Sequence, residues 1–155
     1  MSKNANMPQG LVPHLVLNDC AKAMVWYTKA LGAEEIMRVP APDGKRIMHA
    51  EMQIAGRVFY LCDDFPEYCE GAARSAKALG GSCVTIHQYV EDCDAAIARA
   101  EKAGATVKMP ATDMFWGDRY GGVEDPFGHS WSFATHQRDV TPDEIMAGMK
   151  ECMGG

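Results

Sequence analysis

The chain repeats itself, and nothing else in it constrains the fold as tightly. His14-Leu15-Val16-Leu17-Asn18-Asp19-Cys20 returns 73 residues later as His87-Gln88-Tyr89-Val90-Glu91-Asp92-Cys93. Each copy runs into an alanine-rich helical stretch that ends in Gly-Ala, at Gly32-Ala33 and at Gly104-Ala105. A long internal period means that one supersecondary unit has been copied, and missing it would misread the whole fold. Here it predicts two similar halves packed about a pseudo-twofold axis, with equivalent residues facing each other across whatever lies between.

In the first half, Val12–Leu17 is an apolar run of strand length. Asp19 then caps a helix whose Ala23, Trp26, Tyr27, Ala30 and Leu31 form one apolar stripe, and Gly32 stops it. Strands follow at Glu34–Val39, Arg46–Ile54 and Arg57–Asp63, with Ala55-Gly56 as a tight hairpin turn. Residues 64–81 read as the connection between halves, with one helical turn within Gly71–Leu79. The order then recurs. Val84–Val90 is a strand, and Asp92 caps a helix that buries Cys93, Ala96, Ile97 and Ala100. Strands return at Thr106–Met109, Gly117–Glu124 and Ser130–Thr135. Asp125-Pro126-Phe127-Gly128 is a type I turn signature between the last two. Thr141-Pro142-Asp143-Glu144 is a capping box that opens a C-terminal helix. The fold class is α+β: two βαβββ modules, 11–63 and 82–136, forming a curved sheet around a cavity, with residues 137–155 as a C-terminal helix and tail.

The length of 155 residues fits one domain with a real core, and 47% hydrophobic with 23% charged residues is the balance of a soluble globular protein. No apolar run approaches the roughly 20 residues of a membrane span, so no membrane partner is expected. Residues 1–10 are polar, without the apolar core of a signal peptide, and read as a flexible arm. A net charge of −6 and the lack of any Lys/Arg cluster argue against nucleic acid. Six scattered cysteines with no C-x-x-C pair read as reduced thiols of a cytoplasmic protein. Cys20 and Cys93 each follow a capping Asp, where a helix N-terminus can activate a thiol; the plainer reading, which we favour, is a small semi-buried residue beginning a helix.

The paired modules with Asp125-Pro126-Phe127-Gly128-His129 late in the second resemble the vicinal oxygen chelate superfamily, which includes glyoxalase I, extradiol dioxygenases and the bleomycin- and fosfomycin-resistance proteins. Met48-His49-Ala50-Glu51, the run from Phe115 to Gly121 and Thr135-His136 resemble its PhnB-like branch. The resemblance spans about Val12 to Ile145. It implies two half-sheets enclosing an open cavity for a small-molecule ligand, and a homodimer. It also implies metal ligands on the first and last strands of each module. Those positions fall at Val12, Tyr60, Thr85 and Ser132, none of them a good ligand for a divalent cation.

Strand alternation says independently which residues face that cavity. Leu15, Leu17, Phe59, Leu61, Val84, Ile86, Val90, Trp131 and Phe133 should pack under the helices. The hairpin at Ala55-Gly56 sets Glu51 opposite Tyr60. The turn at 125–128 sets Arg119 opposite Ala134, aiming Arg119 inward and Tyr120 toward the helix. The open face then carries His14, His49, Glu51, Tyr60, Thr85, His87, Tyr89, Ser132 and Arg119. So many polar groups need water or a ligand. His14 and His87 stand two residues, about 6.6 Å, beyond the metal positions. With Glu51 they would make a shifted two-His, one-carboxylate set suited to Zn, Mn or Fe. The competing reading, which we favour, is that both imidazoles are hydrogen-bonding groups of the cavity wall.

Two functions follow. As an enzyme acting on a small oxygenated metabolite, the protein would use His14 or His87 as general base, with Glu51 or Tyr60 as acid partner. His49, Thr85, Tyr89, Trp116, Arg119 and Ser132 would bind substrate, Trp116 as part of a lid beside Gly117, Gly121 and Gly122 or else as ordinary packing. As a binding protein of the bleomycin-resistance type it would instead sequester a drug or metabolite, with acidic charge and aromatic rings as its tools.

Overall fold

The computed structural model describes residues 10–154, so the arm expected over residues 1–10 lies outside the described residues except for Gly10. The chain divides between Gly81 and Ser82 into two compact units. Each unit repeats the same order: a strand, a helix, then three strands.

In the first unit β1 (His14–Leu17) leads into α1 (Cys20–Leu31), followed by β2 (Glu34–Pro40), β3 (Ile47–Ile54) and β4 (Arg57–Asp63). The sheet order is β1-β4-β3-β2, with β1 parallel to β4 and the other pairs antiparallel. Asp19 caps α1 through the Lys22 N–H, and Gly32 ends the helix in the left-handed conformation. The predicted stripe is buried in full: Ala23, Trp26, Tyr27, Ala30 and Leu31 pack with Leu15, Leu17, Met52, Phe59 and Leu61 in the core. Asp63 then stitches helix to sheet, since its carboxylate accepts the Cys20 N–H at 2.8 Å and the Ile47 N–H at 2.6 Å. A buried carboxylate at the start of α1 satisfies a helix donor that has no partner of its own. The connection beyond β4 holds a 3-10 turn at Pro66–Tyr68 and the single helical turn α2 (Ala76–Leu79).

In the second unit β5 (Thr85–Tyr89) leads into α3 (Cys93–Lys102), then β6 (Thr106–Asp113), β7 (Asp118–Glu124) and β8 (Ser130–His136), in the order β5-β8-β7-β6. Asp92 caps α3, and Thr135 does for Cys93 what Asp63 does for Cys20, accepting its N–H at 2.9 Å. Cys93, Ile97 and Ala100 are buried and Ala96 is half-buried. β6 runs past the expected end at Met109 because it is the sheet edge, where Pro110 costs no ladder hydrogen bond; the register breaks between Met109 and Thr112. Thr141 and Glu144 form the capping box of α4 (Pro142–Met153).

Two further expectations fail in this unit. Val84 lies outside β5 and is 62% exposed, so it packs under no helix. More consequentially, β7 and β8 pair Tyr120, and not Arg119, with Ala134; Arg119 pairs with Thr135. The cause is the hairpin loop. Asp125 N–H bonds to the His129 carbonyl at 2.9 Å, leaving Pro126, Phe127 and Gly128 as a three-residue loop that ends with Gly128 at φ +90°. That is a type I turn plus a left-handed glycine, one residue longer than a two-residue hairpin. Asp125 fixes it from within, its buried carboxylate accepting from the Phe127 and His129 N–H groups and from Trp131 Nε1. One residue of slip turns every side chain of the strand to the other face.

Candidate functional site

On the first sheet, the open face gathers four polar side chains from three strands. β1 sets His14 beside Tyr60 of β4, and β3 sets Glu51 on the other side of Tyr60. The His14, His49 and Tyr60 rings are mutual neighbours: centroids lie 6.2 Å apart for His14–His49, 6.0 Å for His14–Tyr60 and 4.8 Å for His49–Tyr60, all edge to face. Glu51 Oε1 stands 3.3 Å from His49 Nε2. His14 is partly exposed, yet desolvation by the sheet holds its pKa below the usual imidazole value, and the nearby His49 lowers it further. A neutral imidazole beside a phenol and a carboxylate can accept a proton and hand it on.

On the second sheet, the parallel pairing of β5 with β8 brings His87 level with Ser132, whose buried hydroxyl lies 2.8 Å from His87 Nδ1. This contact fixes the imidazole plane. Tyr89 meets the His87 ring edge-on at 4.9 Å, while Tyr120 lies 5.9 Å away and inclined by only 23°. Trp116 continues the series at 5.8 Å from Tyr120, and Phe115 at 5.0 Å from Trp116. Five rings therefore form a chain of neighbours leading from β5 to the turn before β7. Thr85, exposed at the first position of β5, stands one place along the same face as His87.

Arg119 is the sequence-expected site residue that this sheet turns away. On the opposite side of β7 it binds Asp94 at the start of α3 through Nε and Nη2, and Asp113 at the end of β6 at 3.0 Å. Tyr120 occupies the face assigned to Arg119. Asp118, 6% exposed, was also missed in the sequence; it joins Tyr89 to His136. Gly128 is the residue whose positive φ lengthens the loop to three and sets the register.

The thiols that begin the two helices, Cys20 and Cys93, are buried core residues. Burial, with Asp63 next to it, pushes the Cys20 thiol up to about 12, and burial raises Cys93 as well. The helix N-termini do not activate them.

A divalent metal fits neither sheet at the positions the family resemblance implies. Val12 and Tyr60 on the first, Thr85 and Ser132 on the second, offer no carboxylate, imidazole or thiolate. Of the shifted set, His14 and Glu51 belong to the first unit and His87 to the second. Among the described residues, no three His, Cys, Asp or Glu side chains are gathered as a metal-holding group.

Comparison with known proteins agrees with this architecture. The family model described as Glyoxalase/Bleomycin resistance protein/Dioxygenase superfamily matches residues 11–133. An uncharacterized protein of Mycobacterium bovis is 49% identical over 144 residues, covering 93% of this chain and 94% of its own. Among solved structures, TioX from Micromonospora sp. ML1 superposes with a TM-score of 0.65 at 28% identity, over 83% of this chain and 99% of its own. A PhnB protein from Bacillus cereus shares the fold, with a TM-score of 0.63 at 15% identity over 82% of this chain and 99% of its own.

Proposed function

The chain belongs to the Glyoxalase/Bleomycin resistance protein/Dioxygenase superfamily, and from that premise we propose that it is a small-molecule enzyme working by acid–base chemistry. We assign the chemistry to His14, Glu51 and Tyr60 on the first sheet and His87 on the second, with His49, Thr85, Tyr89, Trp116 and Ser132 contacting substrate. One observation carries this reading. The His14, His49 and Tyr60 rings converge within 6.2 Å of one another, with Glu51 at 3.3 Å from His49, on the face of the sheet opposite the helix. The substrate class is a small oxygenated metabolite, since imidazole and phenol groups at hydrogen-bonding range suit hydroxyl and carbonyl oxygens. The finer PhnB-like assignment and a homodimer belong to this reading through the resemblance, and a cytoplasmic location through the scattered cysteines.

The competing reading is a binding protein that sequesters a planar compound. The run of rings from Phe115 to Tyr89 favours it, because aromatic faces hold flat or cationic ligands without any catalytic geometry. The two separate in one experiment. Small oxygenated metabolites are screened for shifts of the histidine ring signals by NMR, and each binder is assayed for turnover. The enzyme reading expects a binder that is converted, with His14→Ala abolishing conversion while binding is retained. Binders that are never converted, and whose affinity falls most in Trp116→Ala, would replace it with the sequestering one.

A further inference from the structure

At the end of the His87 face one buried carboxylate joins three strands. Asp118 opens β7 and is 6% exposed. Its Oδ2 accepts the Tyr89 hydroxyl of β5 at 3.3 Å, and its Oδ1 faces Nδ1 of His136, at the end of β8, at 2.8 Å. The other ring nitrogen of His136 faces Asp139 at 2.9 Å. An imidazole can donate to a carboxylate from both nitrogens only when it is doubly protonated. The segment carrying Asp139 is itself pinned, because the Gln137 and Arg138 N–H groups both donate to the Gly117 carbonyl, at 3.0 and 3.1 Å. Gly117 must be glycine for this approach: at φ +97° a Cβ would come within 2.1 Å of the Arg138 carbonyl oxygen.

The charges that reach His136 are few. Asp118 comes from β7 and Asp139 from the pinned segment, while Tyr89 of β5 acts through Asp118. Arg138, two residues along the chain, acts on Glu144 at the start of α4. The two carboxylates, Asp118 first, raise the His136 pKa above the usual imidazole value.

We infer that Asp118 and His136 are positioning residues for the Tyr89 hydroxyl, and that the charge on His136 sets how strongly Asp118 holds it. When His136 is charged, Asp118 is neutralised through its other oxygen. When His136 loses its proton, the buried carboxylate carries an uncompensated charge and draws harder on the phenol proton. The Tyr89 oxygen then becomes a better acceptor and a poorer donor toward anything bound beside His87. This assignment rests on the His87 face being a ligand face. Its test is made on the free protein, so the two readings fail separately.

Protein labelled with 13C at the tyrosine ζ carbons is titrated by NMR alongside its histidine ring signals, with Tyr89→Phe identifying the Tyr89 resonance. We expect the Tyr89 ζ carbon to show a step with the midpoint of His136, above the ordinary imidazole range. The step should vanish in His136→Gln, an exposed substitution that the fold tolerates, and persist in His87→Ala. In Asp118→Asn the His136 midpoint should fall by a unit or more, about tenfold in proton affinity. A Tyr89 signal that stays flat through the His136 titration, or a step that survives in His136→Gln, would overturn the inference. So would a step that follows His87 instead.

Discussion

Tyr120 faces Ala134 across β7 and β8, and this pairing lays its ring nearly parallel to that of His87, 5.9 Å away. Arg119, its chain neighbour, is thereby committed to Asp94 and Asp113 on the helix side. The two neighbours should therefore behave oppositely on substitution. Tyr120→Ala should weaken any ligand of the His87 face by roughly tenfold, the scale of one lost aromatic contact, with little change in stability. Arg119→Ala should lower the melting temperature and leave affinity alone. Calorimetric titration and thermal melts of both variants read this directly, and a loss of affinity confined to Arg119→Ala would refute the face assignment.

The first unit was legible because its hairpin is short. Ala55-Gly56 leaves no choice of register, so Glu51 opposite Tyr60 followed from counting, and His14, His49 and Tyr60 followed from alternation. The second unit hid its register in the glycine at 128, whose positive φ adds a residue to the loop without changing the turn signature. Arg119 and Tyr120 on β7 therefore stand on the faces opposite to those expected, while β5 and β8, which depend on no such turn, keep theirs apart from Val84. The open face of each sheet is readable from period-two alternation; the Asp118–His136 contact is not, because it depends on where two strand ends coincide.

That same short hairpin carries a cost. Ala55 sits at φ +48° and Gly56 at φ +75°, both in the left-handed region that a type I′ turn requires. A Cβ in that region costs about 1–2 kcal/mol, and Asn tolerates it better than Ala. Ala55→Asn should stabilise the protein by about 0.5–1 kcal/mol, seen as a higher urea midpoint at unchanged slope. Gly56→Ala, where a Cβ meets nothing within 4 Å, should destabilise through φ alone. Equal midpoints for all three proteins would show that the turn conformation does not limit stability.

Gly121 is required for a different reason, the closeness of its neighbours. A Cβ there would lie 2.4 Å from Ile97 Cδ1, which can move, but also 2.9 Å from the Met109 carbonyl oxygen and 3.0 Å from the Ala111 nitrogen, which belong to β6 backbone. Gly121→Ala must push α3 or the β6 edge outward and should cost about 1–3 kcal/mol. Pairing it with Ile97→Val separates the two contacts. Full recovery in the double variant would place the conflict at Ile97 alone, contrary to the backbone clash expected.

His14 and His136 should bend the stability curve in opposite directions. The folded pKa of His14 is depressed, so between its folded value and the ordinary imidazole value near 6.5 the unfolded chain binds more protons. Stability then rises with pH across that interval and is lost as pH falls through it. For His136 the folded pKa is raised, so its contribution is complete below about pH 6.5 and disappears as pH climbs through the folded value. Paired carboxylates do not obscure the first effect. Asp43, held down to about 2 by Arg46, titrates well below the imidazole interval. Urea midpoints measured from pH 5 to pH 8 should pass through a maximum, with the acid limb flattened in His14→Asn and the alkaline limb flattened in His136→Gln. An acid limb unchanged in His14→Asn would mean that the imidazole is as well solvated in the folded protein as in the unfolded chain, and would remove the neutral base on which the acid–base reading of the first sheet depends.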